Sequence, residues 1–195
     1  MKLLSLLVLL VVLSCAVALF GGAASSRSGL KSDILALARK VKRGLTETPE
    51  ERTKMLTLFD KLEKLNPTKK TLASTLTSGV WELEYTTSDS ILGKKDGFDR
   101  IGPILQSLDV DALTACNEEV VDYRLAKVSR KVTASLKPVS ATKVAVQFEQ
   151  FTIGGFFKFK APNSFAASLD ITYVDSDLRL SRGDKGNVFI LTKKR

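Results

Sequence analysis

The sequence predicts a mainly β protein: an antiparallel β-barrel of eight or nine short strands, preceded by two N-terminal α-helices. Three observations carry that prediction. Apolar residues recur with a period of about 3.6 as far as Asn66, and with a period of two after Gly79. Glycine, proline and asparagine clusters cut the second stretch into short runs. Short runs joined by tight turns form a meander, and a meander of this size closes into a barrel, which removes its exposed edges.

The helical part is predicted over 32–66. Ser32 is placed to cap a first helix whose apolar stripe is Ile34, Leu37, Ala38, Val41 and Leu45, with Gly44 where a C-cap glycine belongs. The second helix is marked by Thr48 at the N-cap, Pro49 at the first helical position and Glu51 completing a capping box. Met55, Leu58, Phe59, Leu62 and Leu65 line one of its faces. Asn66-Pro67 stops it, because a residue before proline avoids the helical region.

The barrel is predicted over 79–193. Trp81, Leu83 and Tyr85 alternate with Glu82, Glu84 and Thr86. The same alternation carries Val132, Ala134 and Leu136, then Val144, Val146 and Phe148, then Leu169, Ile171 and Tyr173. Further strands are expected over 101–108, 118–125, 156–160, 178–182 and 187–192. Turns are signalled at Lys137-Pro138, Gly154-Gly155, Ala161-Pro162-Asn163 and Gly183-Asp184-Lys185-Gly186.

The N-terminus reads as a presequence. Lys2, the apolar run Leu3–Leu13 and the small-x-small pattern Ala16-Val17-Ala18 predict a signal peptide over 1–18. The run is shorter than the roughly 20 apolar residues a bilayer span needs. Residues 19–31 are Ser/Ala/Gly-rich and free of acids, which is transit-peptide composition. With Phe20 near the cleavage point, the pair resembles the two-part presequence of algae with secondary plastids. Simple secretion fits less well. Cys15 leaves with the signal, so Cys116 has no partner for an intrachain disulfide. The one Asn-x-Thr, Asn66-Pro67-Thr68, is blocked by its proline.

Charge and composition narrow the function. A net charge of +9 favours anionic partners such as lipid headgroups. Nucleic acid is not expected, because no stripe of interleaved Arg and aromatics occurs. The chain has no histidine, which removes Ser-His-Asp and Cys-His catalysis and the commonest metal ligand. One mature cysteine builds no zinc or iron–sulfur site. No phosphate-binding glycine loop is present. Neither catalytic residues, metal nor cofactor is therefore expected. Asp170, Asp175, Asp177 and Asp184 cluster near the C-terminus, but with Arg179 and Arg182 so close they are expected to be strand-end ion pairs and turn caps.

Several segments resemble the plastid lipid-associated protein, or fibrillin, family. They are Leu65-Asn66-Pro67-Thr68, the run from Gly79 to Ser88 through Trp81 and Tyr85, Ile91-Leu92-Gly93, and Gly102 to Asp109. The run Leu169 to Leu191 is similar to the family's C-terminal signature almost throughout. The resemblance covers about Ser32 to Lys193 and implies a domain over 32–195. It implies a lipocalin-like barrel in a plastid protein of thylakoids or plastid lipid droplets, binding an apolar plastid lipid or isoprenoid and catalysing nothing. The alternative it leaves is an interaction module that docks a plastid enzyme, such as one of prenyl-lipid synthesis. A monomer is expected.

Gly79-x-Trp81 is similar to the Gly-x-Trp of lipocalins, where tryptophan plugs the closed end and a basic residue packs on its face. Arg179 or Arg182 would fill that role here, through a cation–π contact. The expected cavity residues are those on the apolar strand faces: Leu83, Tyr85, Val132, Leu136, Val146, Phe148, Ile171 and Tyr173. An eight-stranded interior is wide enough either to be packed solid or to admit one ligand.

Gly154-Gly155-Phe156-Phe157-Lys158-Phe159-Lys160 has two readings. Phe156, Phe157, Lys158 and Lys160 suit a segment that dips into a headgroup layer. Alternation alone gives an ordinary strand, with Phe157 and Phe159 inward and Phe156 half-covered.

Overall fold

Helix α1 (Arg27–Lys40) starts earlier than its spacing predicts, because Ser26 takes the N-cap and accepts a hydrogen bond from Gly29 N at 3.1 Å. Leu30 then adds a turn to the buried stripe of Ile34, Leu37 and Ala38. The computed structural model describes residues 26–194. The predicted signal peptide and most of the transit-like segment lie outside the described residues, but Arg27–Lys31 belongs to the folded domain.

After α1 the chain turns sharply at Gly44, with φ +104°. A Cβ there would meet the Thr86 carbonyl oxygen at 2.6 Å, so glycine lets this turn lie directly on the sheet. Helix α2 (Pro49–Lys64) carries the predicted capping box. Glu51 N donates to Thr48 Oγ1 at 3.2 Å, and Thr48 N donates to Glu51 Oε2 at 2.9 Å.

Nine strands follow: β1 (Gly79–Thr86), β2 (Asp99–Asp109), β3 (Thr114–Asp122), β4 (Lys127–Pro138), β5 (Lys143–Ile153), β6 (Phe157–Lys160), β7 (Ala166–Val174), β8 (Leu178–Gly183) and β9 (Val188–Lys193). Eight of them close into an antiparallel barrel in the order β1-β2-β3-β4-β5-β7-β8-β9, sealed by the β9–β1 pairing. Strand β6 is left out of the ring. It pairs with Gln150–Ile153 of β5, while β7 takes Lys143–Gln147. β6 is thus a flap on one end of the barrel, and its outer edge is unpaired.

The core has two compartments. One lies inside the barrel and gathers Trp81, Leu83, Ile104, Leu108, Leu136, Val144, Ile171 and Leu191. The other lies between the helices and the outside of β1, β7, β8 and β9. Two register shifts decide which residues face which compartment. In β1 the pairing with β9 slips between Leu83 and Tyr85, and in β7 the pairing with β8 slips between Ile171 and Tyr173. Each slip turns the strand over, since one residue of register swaps the two faces.

Candidate functional site

The barrel interior differs at its two ends. At the floor, the connection from α2 to β1 crosses the opening. Leu72 N donates to Ala141 O at 3.1 Å, and Thr71 Oγ1 to Ile171 O at 3.0 Å. Trp81 Nε1 donates to Thr77 O at 3.0 Å, which anchors the fully buried ring. Arg179 Cζ stands 4.9 Å from the Trp81 ring centroid, and Lys193 Nζ stands 5.2 Å from it. The plug assignment therefore falls on Trp81 and Arg179.

Arg179 is fully buried with no ion pair among the described residues. Its Nη2 donates to Gln106 Oε1, while Nε and Nη1 have no partner. Loss of water pushes its guanidinium down to about 9. Gln106 is held in turn by Asn117, whose Oδ1 accepts from Gln106 Nε2 at 2.8 Å. Ser181, two positions along β8, also has a buried and unpartnered hydroxyl.

Toward the mouth, the inner faces of β2, β3 and β4 carry a compact charge network. Arg100 Nη2 lies 2.7 Å from Asp96 Oδ2, and its Nε 3.0 Å from Glu119 Oε2. Arg130 pairs with Glu119 and reaches Asp96 at 3.8 Å. Burial opposes the charge on Arg100, but Asp96 and Glu119 outweigh it and hold the guanidinium above its usual value. Two guanidiniums face two carboxylates, so the network is internally balanced.

The wall between these ends is apolar, and its packing is uneven: Val121 of β3, beside the charge network, and Ala134 of β4 are buried. Leu83, Leu136, Val144 and Ile171 are buried. Val132 of β4, Val146 and Phe148 of β5, Leu169 of β7 and Phe189 of β9 are only half-buried although they face inward with them; Val146 stands opposite Leu136 and Leu169 opposite Val144. Six of the eight predicted cavity residues thus share the barrel interior: Leu83, Leu136 and Ile171 buried, Val132, Val146 and Phe148 half-buried.

Tyr85 and Tyr173 do not. The two register shifts turn them out of the barrel into the helix-facing compartment. Tyr85 Oη donates to Glu47 at 2.6 Å, and Tyr173 Oη donates to Asp175. Burial and these carboxylates push both phenols well above their ordinary range. Arg182 is also outside. It stacks 4.8 Å over Phe59 and binds Asp60 and Glu63 of α2, so it pins a helix and does not touch the plug. In the acidic cluster Asp175 is a turn cap as expected, accepting from Asp177 N at 3.1 Å and Leu178 N at 2.9 Å, but the ion-pair partner of Asp175 and Asp177 is Lys31 of α1, not Arg179 or Arg182.

Phe156, Phe157, Lys158 and Lys160 are all exposed, and so is Phe159. The ordinary-strand reading holds in part: β6 is a strand whose Phe157 and Phe159 share the inner-wall face of Ile153 and Phe151, but none of its side chains is covered, and Phe156 is exposed rather than half-covered, because β6 sits beyond the closed ring. Two open depressions near the barrel, of about 290 and 490 Å³, are lined largely by outward-facing residues, such as Lys42, Arg43 and Glu84 at one and Val80, Ser107 and Thr133 at the other.

Sequence reasoning missed Gln106, Asn117 and Ser181. A signal for the first existed: Gln106 interrupts the inward series Ile104, Leu108 in the middle of a strand.

The PAP_fibrillin family model matches residues 28–159 and 155–192. The chain is 38% identical over 174 residues to "Probable plastid-lipid-associated protein 5, chloroplastic" of Arabidopsis thaliana, covering 88% of this chain and 72% of that protein. It is 28% identical over 204 residues to "Chromoplast-specific carotenoid-associated protein, chromoplastic" of Cucumis sativus, covering 78% and 63%. A "Plastid-lipid-associated protein, chloroplastic" of Citrus unshiu is 28% identical over 205 residues, covering 78% and 64%. The matched region is thus a little under two thirds of the length of the last two relatives.

Proposed function

This chain belongs to the PAP_fibrillin family, and on that premise we propose that it is a plastid lipid-associated protein that sequesters an apolar lipid or isoprenoid in the upper half of its barrel. One observation carries the reading. Around the packed Trp81, Leu83, Leu136, Val144 and Ile171, the inward residues Val132, Val146, Phe148, Leu169 and Phe189 of β4, β5, β7 and β9 keep accessible surface. Apolar side chains accessible inside a closed wall are the surface that an apolar ligand covers, at about 25 cal/mol for each Å² removed from water. The reading is non-catalytic: the interior offers no histidine and no thiol, and its charged groups are either balanced among themselves or locked into the floor. Plastid residence follows from relatives whose names are chloroplastic or chromoplastic.

The test is native mass spectrometry of the protein purified from its own plastid. A mass increment that organic solvent removes, and that matches an apolar lipid or isoprenoid, is the expected result. A chain that always flies at its bare mass, and binds no apolar probe in solution, overturns sequestration.

A further inference from the structure

We propose that the open rim of the barrel is a docking surface for a lipid layer bearing anionic headgroups, so that the barrel stands mouth-down on that layer. The proposal deepens the lipid-sequestration reading and names the surface through which the ligand would pass.

The exposed aromatics of the domain gather at this end. Phe156 is 71% exposed, Phe157 65%, and Phe159 and Phe165 49% each. Leu125, in the β3–β4 turn at the same end, is 99% exposed. A scattered exposed apolar residue needs no explanation, but a cluster of this size marks a surface that binds something apolar. The rings already associate with one another. Phe156 and Phe157 have centroids 4.4 Å apart, and Phe151 stacks on Phe159 at 5.4 Å and meets Phe165 edge-on at 6.1 Å.

Strand pairing shows how this cluster joins the interior. Phe157 stands opposite Ile153, and Phe159 opposite Phe151. Phe151 pairs with Val132 on the barrel wall. The aromatic face of the flap therefore continues the inner wall past the rim, and an apolar track runs from Phe148 through Phe151 to the exposed tip.

Charge selects the partner. Lys158 and Lys160 lie on the other face of the flap, and Arg124 and Lys127 flank Leu125; all four are exposed. None of them makes an ion pair among the described residues. Lysines on an unpaired edge also discourage edge-to-edge association. That accounts for Lys158 and Lys160 but not for the exposed Phe rings beside them. Apolar tips ringed by unpaired cations suit a layer that is oily within and anionic at its surface.

The experiment is vesicle flotation, with the protein as its own cells process it. Vesicles are phosphatidylcholine alone, or phosphatidylcholine with phosphatidylglycerol. Wild type should float with the anionic vesicles and lose that binding as salt is raised. The double variant Phe156→Ser, Phe157→Ser should bind both kinds about tenfold more weakly or worse. The double variant Lys158→Gln, Lys160→Gln should lose only the preference for anionic vesicles. Val139→Ser, at the floor end and 63% exposed in wild type, should change nothing. All four proteins should melt together.

Rim variants that float like wild type overturn the proposal, as does a Val139→Ser variant as impaired as they are. So does a wild type that ignores vesicles and sediments as a dimer abolished by the serine pair, which would assign the rim to a second copy. A fluorescent apolar probe, titrated without vesicles, separates this from sequestration. Probe binding without flotation defeats docking alone, and flotation without probe binding defeats sequestration alone.

Discussion

The two ends of the barrel are built from the same strands and treated in opposite ways. At the floor, the segment before β1 lies across the opening, Trp81 fills it, and Arg179 is committed to the tryptophan face at the cost of two unpartnered nitrogens. At the mouth, Arg100 and Val121 are still buried on β2 and β3, but the inner side chains of β4 and β5 are only half-buried, and the aromatics of the flap are exposed. β5 shows the gradient within one strand: Val144 is buried, Phe148 half-buried, and Ile153 pairs with an exposed phenylalanine. Stability is concentrated at one end, which leaves the other free to have incompletely packed apolar surface. Substitutions should therefore unfold the protein from below and disarm it from above.

The largest effect is expected at Trp81. Trp81→Ala should lower unfolding free energy by about 3–5 kcal/mol in urea titration, as for other buried aromatics. A loss under about 1 kcal/mol, within the range of surface substitutions, would remove the floor from the comparison.

Next comes Gln106, the single hydrogen-bond partner of a buried guanidinium among the described residues. Gln106→Leu strands Arg179 entirely and should cost about 1.5–3 kcal/mol, the range for a hydrogen bond to a charged group. Gln106→Glu supplies a counter-charge in the same place and should cost less than the leucine variant, or stabilise. Equal losses in both would mean that packing volume, not the charge of Arg179, sets the stability of the floor.

Most of this architecture was legible in the sequence, and the exceptions have identifiable causes. The capping box on α2, the nine strands and the Trp81 plug follow from period, turn residues and motif. Strict alternation continuing from Leu83 and Ile171 points Tyr85 and Tyr173 into the cavity. A register shift adds no residue type that sequence alone would flag, so the inversion of face was invisible. Arg179 could be placed only to within a choice of two arginines, because Leu178 and Leu180 are the apolar residues of β8 and face the helices. The exposure of Phe157 and Phe159 depends on β6 being left outside the ring, a matter of which strand β5 pairs with at each half. The start of α1 at Arg27 was hidden by a composition that also suits a transit peptide.

A smaller effect is expected where the floor end meets α1. Burial opposes ionisation of Asp175, but hydrogen bonds from Lys31, Tyr173 and the Asp177 backbone prevail and hold its carboxyl below the ordinary 3.8. A carboxyl depressed in the folded state gives stability that is complete above its unfolded value and is lost as pH falls below it. Asp175→Asn should therefore cost about 1–2 kcal/mol at neutral pH. The gap from wild type should close as pH drops below about 4, measured by melting across that range. A gap that stays constant would mean the carboxyl is not pinned by Lys31.

The smallest stability effect, and the largest functional one, is expected in the upper wall. Phe148 is half-buried in mid-strand, facing the same interior as Val146 and lying nearer the mouth than Val144. An unpartnered polar group in a closed core costs about 1–3 kcal/mol. Where the interior is accessible, water satisfies the new amide. Phe148→Gln should then cost no more than about 1 kcal/mol, at the low end of that range. The same amide would sit in the path of an apolar ligand and keep its water, so binding of a fluorescent apolar probe should be abolished while the melting curve barely moves. If the upper interior were as closed as the floor, Phe148→Gln would unfold the protein much as Trp81→Ala does, and wild type would not have bound the probe. If Phe148→Gln is well folded and still binds the probe as wild type does, the ligand does not lie along this wall. The difference between the two ends of the barrel would then concern stability alone.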